Sequence, residues 1–150
     1  MPGDSTTTVP DESGERLLLV EIRGSLYGLD GASVREIVGV LPATRLPGAP
    51  AHVRGVVNLR GQLLTVVDLG LRLTGAPMLP GDGSTVVVQV GDRSLGLLVD
   101  DVHDVQSVEV TAAERDALAR GEGILSGLGR LGDEVVLVVD VPELVRQTLA

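Results

Sequence analysis

The chain contains no cysteine, no phenylalanine, no tryptophan and no lysine, and its one aromatic residue is Tyr27. Without cysteine there is no disulfide framework, no thiolate nucleophile and no cysteine-bound metal. With almost no aromatic rings, the core has to be filled by valine and leucine, and the abundance of valine favours strands. All 12 cationic side chains are arginines, set against 21 acidic ones, for a net charge of −9. Such a balance lacks the clustered cations that hold a phosphate backbone or an anionic lipid surface, which argues against nucleic acid and direct membrane adhesion. No apolar run approaches the ~18 residues that span a bilayer, and residues 1–10 have neither the cationic nor the apolar region of a signal peptide. The composition points to a soluble cytoplasmic protein.

At 150 residues there is room for one ordinary domain or two very small barrels that share an interface. Residues 1–14 are polar and read as a flexible tail. Leu17 to Ile22 and Leu26 to Leu29 form a first hairpin around Arg23-Gly24-Ser25. Ala32 to Val40 reads as one helical turn running into a strand. Pro42, Pro47 and Pro50 stiffen the approach to a second hairpin, whose turn contains Arg60 and Gly61. Leu71 to Gly83 reads as a linker, with a break between two groups of strands near 75–84. A third hairpin follows over Thr85 to Val99, then strands over Val102 to Val110 and Val135 to Val139. A short helix with Pro142 in its first turn comes last. Many short strands divided by turns indicate a mainly β fold of two small barrels with short helices, spanning residues 15–150.

Three patterns suggest chemistry and fail on inspection. Gly127-Leu-Gly129-Arg-Leu-Gly132 has the spacing of a dinucleotide fingerprint, but Asp133, Glu134 and a β-branched strand follow where a helix should begin, so the glycines read as a turn. Asp100, Asp101, His103 and Asp104 are dense in metal-ligating atoms. Strand alternation sends Asp101 and His103 to one face and Asp100 and Asp104 to the other, leaving at most two ligands per face. Val66-Val67-Asp68-Leu69-Gly70 faintly resembles an aspartic-protease loop but lacks the hydroxyl residue after the aspartate. Asp68 is expected to accept backbone hydrogen bonds where its strand ends. No nucleophile and base stand in a recognisable arrangement, so no catalysis, metal or cofactor is expected.

Glu36 and Arg60 differ from the other charges because each interrupts an apolar stretch. They are either unrelated surface charges or neighbours at the rim of a groove. In the second case Arg60 offers a planar fork of donors to a partner, and Val34, Ile37 and Val38 supply apolar contact. Val56, Val57, Leu63, Leu64, Val66 and Val67 are expected in the hairpin core.

Four elements in order over Leu17 to Leu149 resemble the CheW family of chemosensory coupling proteins. They are Val34-Arg-Glu36-Ile37; Val53 to Gly70 with Asn58-Leu-Arg60-Gly61 and Val67-Asp68-Leu69; Leu97-Leu-Val99-Asp100-Asp-Val102; and Ile124 to Gly132 with the strand after it. The resemblance implies two five-stranded Src-homology-3-like barrels packed together as a non-enzymatic adaptor. It implies coupling of the cytoplasmic tips of chemoreceptors to the regulatory domain of the histidine kinase CheA at membrane-associated arrays. By position, Val34, Glu36, Ile37, Gly55, Asn58, Arg60, Val99 and Val102 would line or shape the receptor groove. The chain departs from the pattern at Thr65, where the family usually has proline. It departs more widely over residues 111–122, where an alanine-rich stretch with a Thr111…Glu114 capping box replaces a proline-bearing segment with an aromatic. That departure keeps an alternative open: a divergent relative that binds receptors or another coupler but not the kinase.

Overall fold

The computed structural model describes residues 14–78, 83–111 and 123–149. The tail expected over residues 1–14, save Gly14, and the atypical stretch after Thr111 lie outside the described residues. Among the described residues, ten strands run in chain order: β1 Glu15–Ile22, β2 Ser25–Asp30, β3 Val34–Val38, β4 Val53–Leu59, β5 Gln62–Asp68, β6 Ser84–Val90, β7 Arg93–Val99, β8 Asp101–Thr111, β9 Leu125–Leu131 and β10 Glu134–Val139. A 3-10 turn over Gly31–Ser33 precedes β3, as the helical turn running into a strand anticipates. Helix α1 covers Leu69–Thr74 and α2 covers Val141–Leu149.

The strands form two five-stranded sheets. One closes as a barrel in the order β9-β10-β2-β1-β8, with β8 pairing back onto β9; the other has the order β3-β6-β7-β5-β4. Its edge strands are linked by the chain that leaves β3: Thr44 N–H donates to Val56 O at 2.9 Å and Val56 N–H to Thr44 O at 2.8 Å. The segment near Met78 does not divide the two groups of strands. It joins β5 to β6, both in the second sheet, and the chain passes between sheets at the 3-10 turn and again at Asp100.

Burial on both faces explains why the strands read as continuous apolar runs. In β1, alternation sends Leu17 and Leu19 into the barrel with Val108, Val136 and Val138. Leu18, Val20 and Ile22 point the other way, into a core shared with Val67, Val86, Val88, Leu95 and Leu97 of the second sheet. A third cluster, with Val57, Leu64, Val66 and Leu98, lies on the far face of that sheet. Three thin layers suit small aliphatic side chains, and each buried leucine or valine contributes about 1.5–3 kcal/mol. The shared layer fuses the two sheets into one unit.

Two local readings are corrected. The supposed linker begins with α1, which Asp68 caps by accepting Leu71 N–H at 3.0 Å and which Gly75 ends at φ 80°. Six residues are too few to show a helical period, so only the capping residues could have signalled it. Gly127 and Gly129 are not turn residues. They lie in β9 where it crosses β8 so closely that a Cβ would meet Val110 Cγ1 at 2.8 Å and Val108 Cγ1 at 2.5 Å, respectively. Their spacing reflects close strand approach, and only Gly132 sits in the turn that follows.

Helix α2 starts behind Asp140, whose Oδ1 accepts Glu143 N–H at 3.1 Å. Hydrogen bonds donated to Glu143 by Arg146 and then Gln147 hold its carboxyl down at about 2. A depressed carboxyl pKa stabilises the fold above its ordinary value and loses that contribution as pH falls toward the folded value. The Glu143 resonance is therefore expected to titrate with a midpoint near 2, not 4.5, in a carbon-detected NMR titration. The helical signal lost on acidification across that interval should be smaller in Glu143→Gln.

Candidate functional site

The β4–β5 hairpin turns through two residues, Arg60 at φ 52° and Gly61 at φ 86°. Both central residues need positive φ in this tight hairpin. An L residue other than glycine, asparagine or aspartate pays roughly 1–2 kcal/mol in that conformation. Asn58 Oδ1 accepts Gly61 N–H at 2.9 Å and fixes the turn. The result is an arginine held at a rigid tip by a backbone that disfavours it.

A second Arg-Gly turn, Arg23-Gly24, joins β1 to β2 with the same backbone. There Arg23 N–H donates to Asp100 Oδ2 at 2.6 Å and its guanidinium to Pro77 O at 3.0 Å, tying the barrel to the segment after α1. Arg60, by contrast, keeps most of its side chain in solvent. Its guanidinium pairs with Glu36 on the opposite edge strand, and the two side chains remain 66% and 34% exposed. The hydrogen bond to Glu36, and then its charge, raise the Arg60 pKa above its ordinary value, so the site keeps a fixed cation. An ion pair this exposed adds little to stability.

The structure thus brings Glu36 and Arg60 together across the two edges of the second sheet, so the two are neighbours and not unrelated surface charges. Ile37 stands beside Glu36 on β3 and is 44% exposed. The other five candidates are not equivalent. Asn58 is exposed but engaged by its turn. Gly55 is buried against Thr44 and permits the strand crossing there. Val99 has no exposed surface, and Val34 and Val102 are half-buried against the shared core. Val99 pairs with Ser84 and Val34 with Val88 on β6, so they lie about 13 Å apart along that strand. Of the eight, Ile37, Asn58 and Arg60 are exposed and Glu36 is half-buried beside Arg60, while Ile37, next to Glu36 on β3, points to the other side of the sheet.

Two residues expected in the hairpin core lie outside it: Val56 is half-buried and in no core cluster, on the same face as Leu63. Leu63, expected in the hairpin core, is 78% exposed. It pairs with Asn58 next to the Arg60 turn, and alternation with the buried Leu64 was the available sign that it points outward. A cleft of about 360 Å³ lies over this region, lined by Glu36, Arg60, Leu63 and Gln89 among others. The cleft combines two arginines, Arg35 and Arg60, with the Glu36 carboxylate and the exposed Leu63 side chain, a composition suited to gripping a protein surface.

Asp68 is fully buried, and its oxygens accept Leu71 N–H and Met78 N–H. That matches a carboxylate expected to close a strand end.

The CheW-like domain family model matches residues 16–149. The chain is 31% identical over 135 residues to the chemotaxis protein CheW of Klebsiella aerogenes, covering 87% of this chain and 81% of that protein. It is also 31% identical over 137 residues to the chemotaxis protein CheW of Treponema pallidum, with 86% and 81% covered. Among solved structures, the scaffolding protein TtCheW from Thermoanaerobacter tengcongensis is similar, with a TM-score of 0.75 at 25% identity over 84% of this chain and 88% of that one.

Proposed function

The chain belongs to the CheW-like family of non-catalytic chemotaxis scaffold proteins, and from that premise we propose that it couples chemoreceptor cytoplasmic tips to the regulatory domain of the histidine kinase CheA. In this reading the receptor docks around Glu36, Ile37, Asn58 and Arg60, with Val34, Gly55, Val99 and Val102 shaping that surface from beneath and beside it. The observation that carries the proposal is the Arg60–Glu36 pair, an exposed ion pair held at a strained hairpin tip beside the exposed Leu63. A group kept there at a cost to local backbone preference fits a contact with something outside the chain. No helix among the described residues is long and apolar enough to cross a membrane, which fits action from the cytoplasm at receptor arrays.

The sequence of residues 111–122 favours a second reading, in which receptors or another coupler are bound but the kinase is not. Titrating the full chain separately with a receptor signalling fragment and with the CheA regulatory domain distinguishes the two. Binding to both supports coupling, binding to the receptor alone supports the divergent reading, and binding to neither contradicts both.

Leu63 belongs to the same face in this proposal. Leu63→Ser is expected to weaken receptor-fragment binding about tenfold, or about 1.4 kcal/mol, because a leucine buried on docking loses its contact. Thermal unfolding should stay near that of wild type, since the side chain is exposed in the free protein. A matched pair of calorimetric binding and melting curves checks both outcomes.

A further inference from the structure

We propose that Glu21, Asp101 and His103 form a binding site for a divalent transition-metal ion, with zinc as the representative ion. One carboxylate oxygen from each acid and a ring nitrogen of the histidine lie within 4.8 Å of one another. His103 Nε2 is already 3.1 Å from Glu21 Oε1. Around a tetrahedral ion with bonds of about 2.1 Å, ligand atoms lie about 3.4 Å apart. Small rotations of these accessible side chains close the remaining gap.

The backbone supplies the arrangement. Glu21 of β1 pairs directly with Asp101 of β8, and Asp100 N–H donates to Glu21 O at 3.1 Å beside them. Val20 pairs with Val102 and Leu18 with Val105, so Leu19 alone stands opposite both His103 and Asp104. That two-against-one step is a β-bulge, a device that re-aims side chains; here it accompanies the imidazole's contact with Glu21. Counting ligands along β8 alone stops at two per face, and the third comes from a strand 80 residues away in sequence. Asp101 Oδ1 accepts Val102 N–H at 2.9 Å, which leaves its second oxygen for an ion; Asp100, whose Oδ2 accepts Arg23 N–H, stands outside the set.

The donor types select the ion. An imidazole nitrogen suits zinc, nickel or copper and is a poor ligand for magnesium or calcium, while two carboxylates balance the charge of a dication. Glu21 and His103 pair with each other, and the net charge of −9 draws cations toward the chain. Three protein ligands on an exposed strand pair leave the remaining positions to water. The site lies on the barrel, built from different residues than the Arg60 face, and does not depend on the adaptor reading.

The test is calorimetric titration of the full chain with zinc chloride, with magnesium chloride as the control. Wild type is expected to bind one zinc per chain and no magnesium under the same conditions. His103→Asn and Glu21→Gln should each weaken zinc binding at least about tenfold. Zinc should raise the melting temperature of wild type and not of either variant, while the variants melt like wild type without zinc because the exchanged groups are accessible. His52→Asn should bind as wild type does. Absence of saturable zinc binding, magnesium binding as tight as zinc, or unchanged affinity in either ligand variant overturns the site.

Discussion

Asp68→Ala is expected to lower the free energy of unfolding by about 3–5 kcal/mol. The carboxylate is wholly buried and accepts Leu71 N–H at 3.0 Å and Met78 N–H at 3.1 Å, with Arg54 at 3.7 Å. Removing it strands two backbone donors, one of them the N-cap bond of α1, each costing about 1–3 kcal/mol when buried without a partner. The Arg54 pair adds little, because that side chain is 38% exposed. Asp68→Asn retains an acceptor and should lose about 1–2 kcal/mol less than the alanine variant. Urea unfolding of the three proteins measures the series. Since Leu69 and Leu73 of α1 pack into the shared core, the alanine variant should also expose that core to hydrogen exchange.

Gly55→Ala is the second large effect, at about 3–5 kcal/mol. Gly55 has φ 138°, and a Cβ there would lie 2.2 Å from Thr44 O and 2.6 Å from Thr44 C. The obstacle is backbone, which no rotamer change relieves. Strain at such a φ costs about 1–3 kcal/mol, and forced repacking adds about 1–3 kcal/mol. The substitution should separate Thr44 from Val56 and release the chain that links the edges of the second sheet. The same edges carry Glu36 and Arg60, so receptor binding should weaken along with stability. A lowered urea midpoint with rapid exchange of the Thr44 and Val56 amides is the expected signature; a wild-type midpoint would show that the crossing can open at no cost.

The strands were readable because each carries its own evidence. β1, β6, β7 and β10 are runs of leucine and valine bounded by glycine or polar turns, and the runs are continuous because both faces are buried. Arg60 and Glu36 stood out as charges inside apolar stretches, and they do meet. What escaped notice depends on contacts between distant parts of the chain. Gly127 and Gly129 looked like a turn because nothing local reveals that β8 passes close behind them. The partition of strands between sheets is fixed by a shared core that joins β1 to β6 and β7, so the punctuation near Met78 pointed to the wrong division. Leu63 was read as core because its hairpin is apolar, although alternation already set it opposite Leu64. Glu21 was silent because the partners that give it meaning, Asp101 and His103, lie on a neighbouring strand.

In the proposed coupling role, Arg60 is held at its turn for a partner, not for the fold. Calorimetric titration of a receptor signalling fragment into wild type and Arg60→Ala tests that claim most directly. The alanine keeps the positive-φ turn at similar backbone cost and removes only an exposed ion pair, so its melting temperature should match wild type. The predicted result is that affinity for the receptor fragment falls at least about tenfold, the loss expected of an arginine anchor in an interface. Undiminished receptor binding by a folded Arg60→Ala would contradict the account.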